Sequence, residues 1–202
     1  KDITMTSLDI HFLHGFGMVG QHSENITMDD VDFEAPKESG RTTAGYADFV
    51  QMSGCKGTIN ISNCTFAGPH DDPINIHGTF NTVTAISSDR RTITVQYNHN
   101  ETAGFPNFFE GDEIEFMTKG NMITVEDSVR TVTKVDGPDG MGGNMGDGSG
   151  SLTTIKLTLN EAVPSDVQVN QHVVENITYT PTVNITCLLY TSDAADEARS
   201  VD

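Results

Sequence analysis

A repeated trio of strand-type residues constrains this chain more than any other feature. Ile3-Thr4-Met5, Ile26-Thr27-Met28 and Ile59-Asn60-Ile61 share one pattern. The alignment runs on without a gap: Leu8, Val31 and Cys64 fall together, then Ile10, Phe33 and Phe66. The first step is 23 residues, close to one turn of a right-handed parallel β-helix, and the second is 33. The ten extra residues are absorbed by Glu34–Tyr46, EAPKESGRTTAGY, which is polar with Gly and Pro and reads as a corner loop. A fourth copy starts at Val183-Asn184-Ile185. Each copy has short strands with inward apolar residues at period 2, and no copy can bury its own face without a stacked neighbour. The expectation is an all-β chain whose residues 1–79 form parallel β-helix coils.

From about residue 80 to 173 the rhythm breaks. Longer alternating runs take over at Thr82 to Ser87, Thr92 to Tyr97, Asp112 to Thr118, Val129 to Val135 and Leu152 to Leu159. SSDRR separates the first two as a hairpin turn, and DGPDGMGGNMGDGSG separates the last two as a loop tip. These runs predict an inserted antiparallel subdomain resembling a small β-barrel over 80–173, with a return to the β-helix over 174–186. The Gly-rich stretch is not a nucleotide loop, because it lacks the GK[ST] ending and a strand-to-helix setting.

Charge narrows the function classes. The 202 residues carry 29 acids against 11 Lys and Arg, a formal net charge of −18. That excludes sequence-independent nucleic-acid binding and argues against docking on an anionic membrane. No apolar run is long enough to span a bilayer. The opening at Lys1 already reads as mid-pattern without a signal peptide, so the N-terminus is expected to be truncated. Residues 187–202 begin CLLYTSDAADE, which resembles the translation of a transposase sequencing adapter, and they are expected to be non-native. Cys55 and Cys64, nine apart, make neither a disulfide framework nor a zinc site, and Cys64 reads as a buried thiol. Asn25, Asn60, Asn63, Asn100, Asn176 and Asn184 begin sequons, several of them inside the Asn-Ile-Thr repeat, where stacked side chains are the simpler cause.

The most unusual string is Gly68–Gly78, GPHDDPINIHG, with two adjacent acids between histidines at the head of a strand. The preceding coil holds Gly45–Met52, GYADFVQM, and Ile74 and Ile76 match Val50 and Met52 as inward residues. Asp71 and Asp72 then lie 23 and 24 residues after Asp48, about one coil. Strands of neighbouring coils are about 4.8 Å apart, so these carboxylates should meet on one face. Three that close cannot all ionise freely, which separates an acid from a base, as glycoside hydrolysis requires. Two other readings stay open. A ladder of turn-forming Asp residues would look the same. So would a Ca²⁺ site of Asp48, Asp71, Asp72 and His70 in a β-helical lyase, although only Arg41 and Lys56 are near as its base. Gln51, His70, Asn75 and His77 are candidate sugar contacts, Asn75 and His77 alternating outward beside Ile74 and Ile76.

The strings GYADFVQMSGCKGTINISNCTFAGPHDDPINIHGTF and VENITYTPTVNIT closely resemble glycoside hydrolase family 110, bacterial exo-α-1,3-galactosidases, with DFVQ and HDDPINIHGT the most specific parts. The resemblance covers residues 1–186. It implies a right-handed parallel β-helix with an inserted β-barrel, and inverting removal of terminal α-1,3-linked galactose from blood-group B or linear Galα1-3Gal glycans. It also implies that Asp48, Asp71 and Asp72 are catalytic, with no cofactor or metal, in a secreted or periplasmic protein. The competing class is a non-catalytic β-helix such as an adhesin or tailspike segment. What separates the two is whether the three Asp residues converge in one concavity.

Overall fold

The computed structural model describes residues 1–99, 102–103, 105–138 and 153–186, and the backbone of 189–191. The fold is all-β, with two single-turn 3-10 helices, Lys37–Ser39 and Ile177–Tyr179. The strands are β1 (Ile3–Ile10), β2 (Met18–Gln21), β3 (Glu24–Phe33), β4 (Val50–Ser53), β5 (Lys56–Ser62), β6 (Thr65–Ala67), β7 (Ile74–His77), β8 (Phe80–Ile86), β9 (Thr92–Tyr97), β10 (Glu113–Thr118), β11 (Arg130–Asp136), β12 (Thr154–Leu159), β13 (His172–Asn176), β14 (Thr182–Thr186) and β15 (Leu189–Thr191). They divide between two compact units, residues 1–77 with 181 onward, and residues 78–180. No helix of the described residues is long and apolar enough to cross a membrane.

The first unit is made of parallel pairs. One sheet runs β14-β5-β3-β6-β15, with β1 also on β3, and a second runs β2-β4-β7. The registers follow the repeat: Ile3 faces Ile26, Ile26 faces Ile59, and Ile59 faces Val183. Ile10 faces Phe33, which faces Phe66. Inward residues fall at 3 and 5, then at 8 and 10, so one residue between must reset the alternation. Ser7, Asp30 and Asn63 do this at equivalent positions of the repeat with left-handed backbone, φ 53°, 58° and 52°. Asn and Asp tolerate that region better than other side chains. The stacked neighbours tie the bend together: Ser7 Oγ donates to Asp30 at 2.7 Å, and Asn63 Nδ2 donates to Asp29 at 2.8 Å. Donors from Ser62 and Asn63 hold the Asp29 carboxyl below its usual range.

Inside, Phe33 stacks on Phe49 and Phe66 with ring centroids 5.2 and 5.4 Å apart. Each fully buried ring contributes about 1.5–3 kcal/mol. Around them lie Ile26, Met28, Val50, Met52, Ile59 and Ile61, all at 0% exposure. Gly17 is required by close approach, because a Cβ there would run into the Phe49 carbonyl oxygen. The Glu34–Tyr46 segment is the expected corner, with Lys37–Ser39 as a 3-10 turn ended by Gly40 at φ 69°. Two of the sequon asparagines form a ladder pair, Asn184 Nδ2 donating to Asn60 at 2.9 Å. Cys55 and Cys64 are free buried thiols.

The second unit is a closed antiparallel barrel, β10-β11-β12-β9-β8-β13. Its core is Val83, Ile93, Val95, Ile114, Phe116, Val132, Ile155, Leu157 and Val174. The hairpin at SSDRR closes through Arg90 N–H to the Ser87 carbonyl, 2.9 Å. The boundary differs from the sequence expectation. The return to the first unit comes at Pro181 rather than at 174, because His172–Asn176 is the strand that closes the barrel between β10 and β8. The Gly-rich segment from 139 to 152 and the Asn100 sequon lie outside the described residues. Of the segment set aside as adapter-derived, only Leu189–Thr191 is described. It sits on Thr65–Ala67 with the offset of 124 that β14 has on β5, so β15 continues an established register.

Candidate active site

The site is assembled by the β2-β4-β7 sheet. Val50 faces Ile74, Gln51 faces Asn75, Met52 faces Ile76 and Ser53 faces His77. A backbone bond carries this offset past the strand ends, Phe49 N–H donating to the Asp72 carbonyl at 3.1 Å, while Gly17 N–H, beside β2, donates to the Asp48 carbonyl at 2.9 Å. The same offset that pairs Val50 with Ile74 therefore brings Asp72 beside Asp48. Asp71 is held in the turn, where its Oδ1 accepts from Asp72 N–H at 3.1 Å. Carboxylate oxygens of Asp48, Asp71 and Asp72 all lie within 4.8 Å of one another. They converge on one place and do not point into separate turns.

The three environments differ. Asp48 is 5% exposed. Asp71 and Asp72 are exposed. Asn75 Nδ2 donates to Asp48 Oδ2 at 3.0 Å. Gln51 is half-buried in the same outward row, between Val19 and Asn75. His77 ends β7, exposed, and its carbonyl accepts from Gly54 N–H at 2.9 Å. His70 is exposed and is not among the groups that meet the three carboxylates. Arg41, one of the two bases considered for a lyase, lies over the Phe12 ring, 4.9 Å from its centroid. A Ca²⁺ ion takes about 6–8 oxygens, so one oxygen from each of these three would leave the remaining places to other oxygens. Burial pushes the Cys55 and Cys64 thiols up, away from the thiolate a nucleophile needs.

Sequence spacing foresaw the meeting of the three acids but not the bond from Asn75 to Asp48. That bond crosses from one strand to the next between residues 27 apart, a diagonal. The cue was present: an outward Asn, one strand spacing from Gln51, three positions along from Asp72.

The chain is similar to known proteins along most of its length. Residues 92–138 match the family described as GLAA-B beta-barrel domain II. A protein of Streptomyces avermitilis named Alpha-1,3-galactosidase A is 50% identical over 185 residues, which is 92% of this chain and 29% of that protein. One of the same name from Peterkaempfera griseoplana is 46% identical over 187 residues, 91% of this chain and 25% of its own length. Another from Bacteroides thetaiotaomicron is 41% identical over 187 residues, 92% and 30%. An all-β chain with a closed barrel and a carboxylate cluster on its parallel sheet thus falls into a class of glycoside hydrolases. The chain belongs to glycoside hydrolase family 110, and it spans 25–30% of the length of these curated relatives.

Proposed function

We propose that this chain carries the catalytic carboxylates of a glycosidase that removes terminal α-1,3-linked galactose from glycans. The observation that carries the reading is the convergence of Asp48, Asp71 and Asp72 within 4.8 Å, one shielded and two exposed. Two carboxyls in unlike surroundings take unlike roles. Asp48, out of water, is the general acid that protonates the leaving oxygen. Asp71 or Asp72, in contact with solvent, is the base that activates water. Gln51, His70 and His77 are proposed contacts to galactose hydroxyls. The substrate is a galactose-terminated oligosaccharide of blood-group B or linear Galα1-3Gal type, and the whole protein is secreted or periplasmic, where such glycans are met. Coil steps of 23 and 24 residues and parallel registers support a right-handed parallel β-helix as the frame.

Inversion is supported by the family resemblance. Inverting pairs stand about 6.5–9.5 Å apart and retaining pairs about 5–5.5 Å. The 4.8 Å bound concerns one oxygen from each group, and this close approach favours retention as the second reading. The test is hydrolysis of a Galα1-3Gal disaccharide in EDTA, followed by NMR, by a complete chain that carries this segment. Release of galactose first as the β-anomer, lost in Asp71→Asn or Asp72→Asn, is the expected result. First release as the α-anomer replaces inversion by retention. No release from a folded protein overturns the assignment.

A further inference from the structure

We infer that Asn75 is a positioning residue for Asp48, fixing which carboxylate oxygen exchanges the proton; this rests on the proposed role of Asp48 as a reacting acid. The sequence suggests a different use for Asn75, contact with the sugar. Its amide is instead committed to protein, with Nδ2 donating to Asp48 Oδ2 at 3.0 Å. Asp48 is 5% exposed, so water has little access to it and a protein donor takes water's place. An amide N–H can only donate, so Oδ2 is an acceptor. A proton carried by Asp48 therefore sits on Oδ1, and Oδ1 is the atom left to give it to the leaving oxygen or take it back.

The bond is built on regular structure. Asn75 lies inside β7, paired with Gln51 on β4, and β7 is anchored by Ile74 opposite Val50 and Ile76 opposite Met52. Asp71 and Asp72 sit in the exposed turn before that strand. The donor is thus fixed by the sheet, independently of the turn that carries the other two acids. Support from a regular strand holds an acid more tightly than support from a loop. The side-chain type fits the task. Asp at 75 would remove the donor and add a fourth carboxylate, and Ala would leave Oδ2 of a shielded carboxylate without its partner.

The test is a cycle of Asn75→Ala, Asp48→Asn and the double variant, in a complete chain carrying this segment in the matched region of the Streptomyces avermitilis relative, assayed on Galα1-3Gal disaccharide. Asn75→Ala is expected to lower kcat about 10- to 100-fold, the worth of one hydrogen bond to a charged group, with KM changed by less than about twofold. In the Asp48→Asn background it is expected to cost nothing further. Asn75→Ser, which keeps a donor, is expected to retain more activity than Asn75→Ala, and it takes that variant's place if Ala prevents folding. A raised KM with unchanged kcat, or an equal further loss in the double variant, assigns Asn75 to the sugar and overturns the inference alone. No hydrolysis by the unsubstituted chain overturns the proposed function, and this inference with it.

Discussion

The tetrapeptide Glu-Asn-Ile-Thr occurs in both units and faces opposite ways in them. At Glu24–Thr27 it lies in β3, with Ile26 at 0% exposure in the parallel core and Asn25 turned outward. At Glu175–Thr178 it ends β13 and enters a 3-10 turn, with Asn176 at 3% exposure and Ile177 half out. The partners account for the reversal. Asn25 has left-handed backbone, φ 54°, and its amide oxygen accepts from Thr58 N–H at 3.1 Å on the neighbouring coil. Asn176 caps the 3-10 turn by accepting from Thr178 N–H, and donates to the Asn107 carbonyl at 2.9 Å and to Asp112 Oδ2 at 2.6 Å. Where the neighbouring strand repeats the same residues, the apolar side chain turns inward. Where the neighbour offers buried acceptors, the polar one does.

The comparison can be broken most forcefully at the repeat itself. Phe33→Ala removes the ring stacked on both Phe49 and Phe66, at an expected cost of about 3–5 kcal/mol in urea unfolding. A loss below about 1 kcal/mol would mean that the aromatic column is not what holds the coils. Next, Asn176→Ala should cost about 1–3 kcal/mol, because it leaves the buried Asp112 carboxylate with the Phe109 N–H but without its side-chain donor. Asn25→Ala, in a wetter place, should cost less, and equal losses would erase the distinction between the two copies. The smallest effect concerns the first residue of the barrel copy. Burial, and then Glu115 directly opposite on β10, push the Glu175 carboxyl up. The folded barrel therefore holds that proton to higher pH than the unfolded chain. Its stabilising contribution is present below the unfolded value and lost as pH rises through the folded one. Glu175→Gln should flatten that fall in thermal melts and raise stability near neutral pH by about 0.5 kcal/mol, since facing like charges on half-exposed strands cost little.

The parallel ladder could be read from the sequence because each strand stacks on a near-copy of itself, so aligning isoleucines is the same operation as writing the ladder. Ile3, Ile26, Ile59 and Val183 align in the sequence and pair in space. The meeting of Asp48 with Asp71 and Asp72 was legible for the same reason, as a separation equal to one step of the parallel ladder. The closing strand of the barrel was not. Val173 and Val174 are apolar like the residues of the parallel strands, and only the antiparallel partners, Phe116 and Asn81 on either side of Val174, place their strand in the barrel. Nor was the use of Asn75 legible, since an outward Asn offers its amide equally to a sugar or to a neighbouring carboxylate until the diagonal is known.

The parallel ladders also behave like a clock that counts only whole turns. Steps of 23, 33, 32 and 24 residues all return the chain to register. Whatever is inserted at the corner between Phe33 and Ala44 leaves the tally downstream unchanged, and the carboxylates arrive on the same hour. For an engineer, that corner is a place where length and composition can be randomised, as a library across Glu34–Arg41, while the three carboxylates keep their spacing.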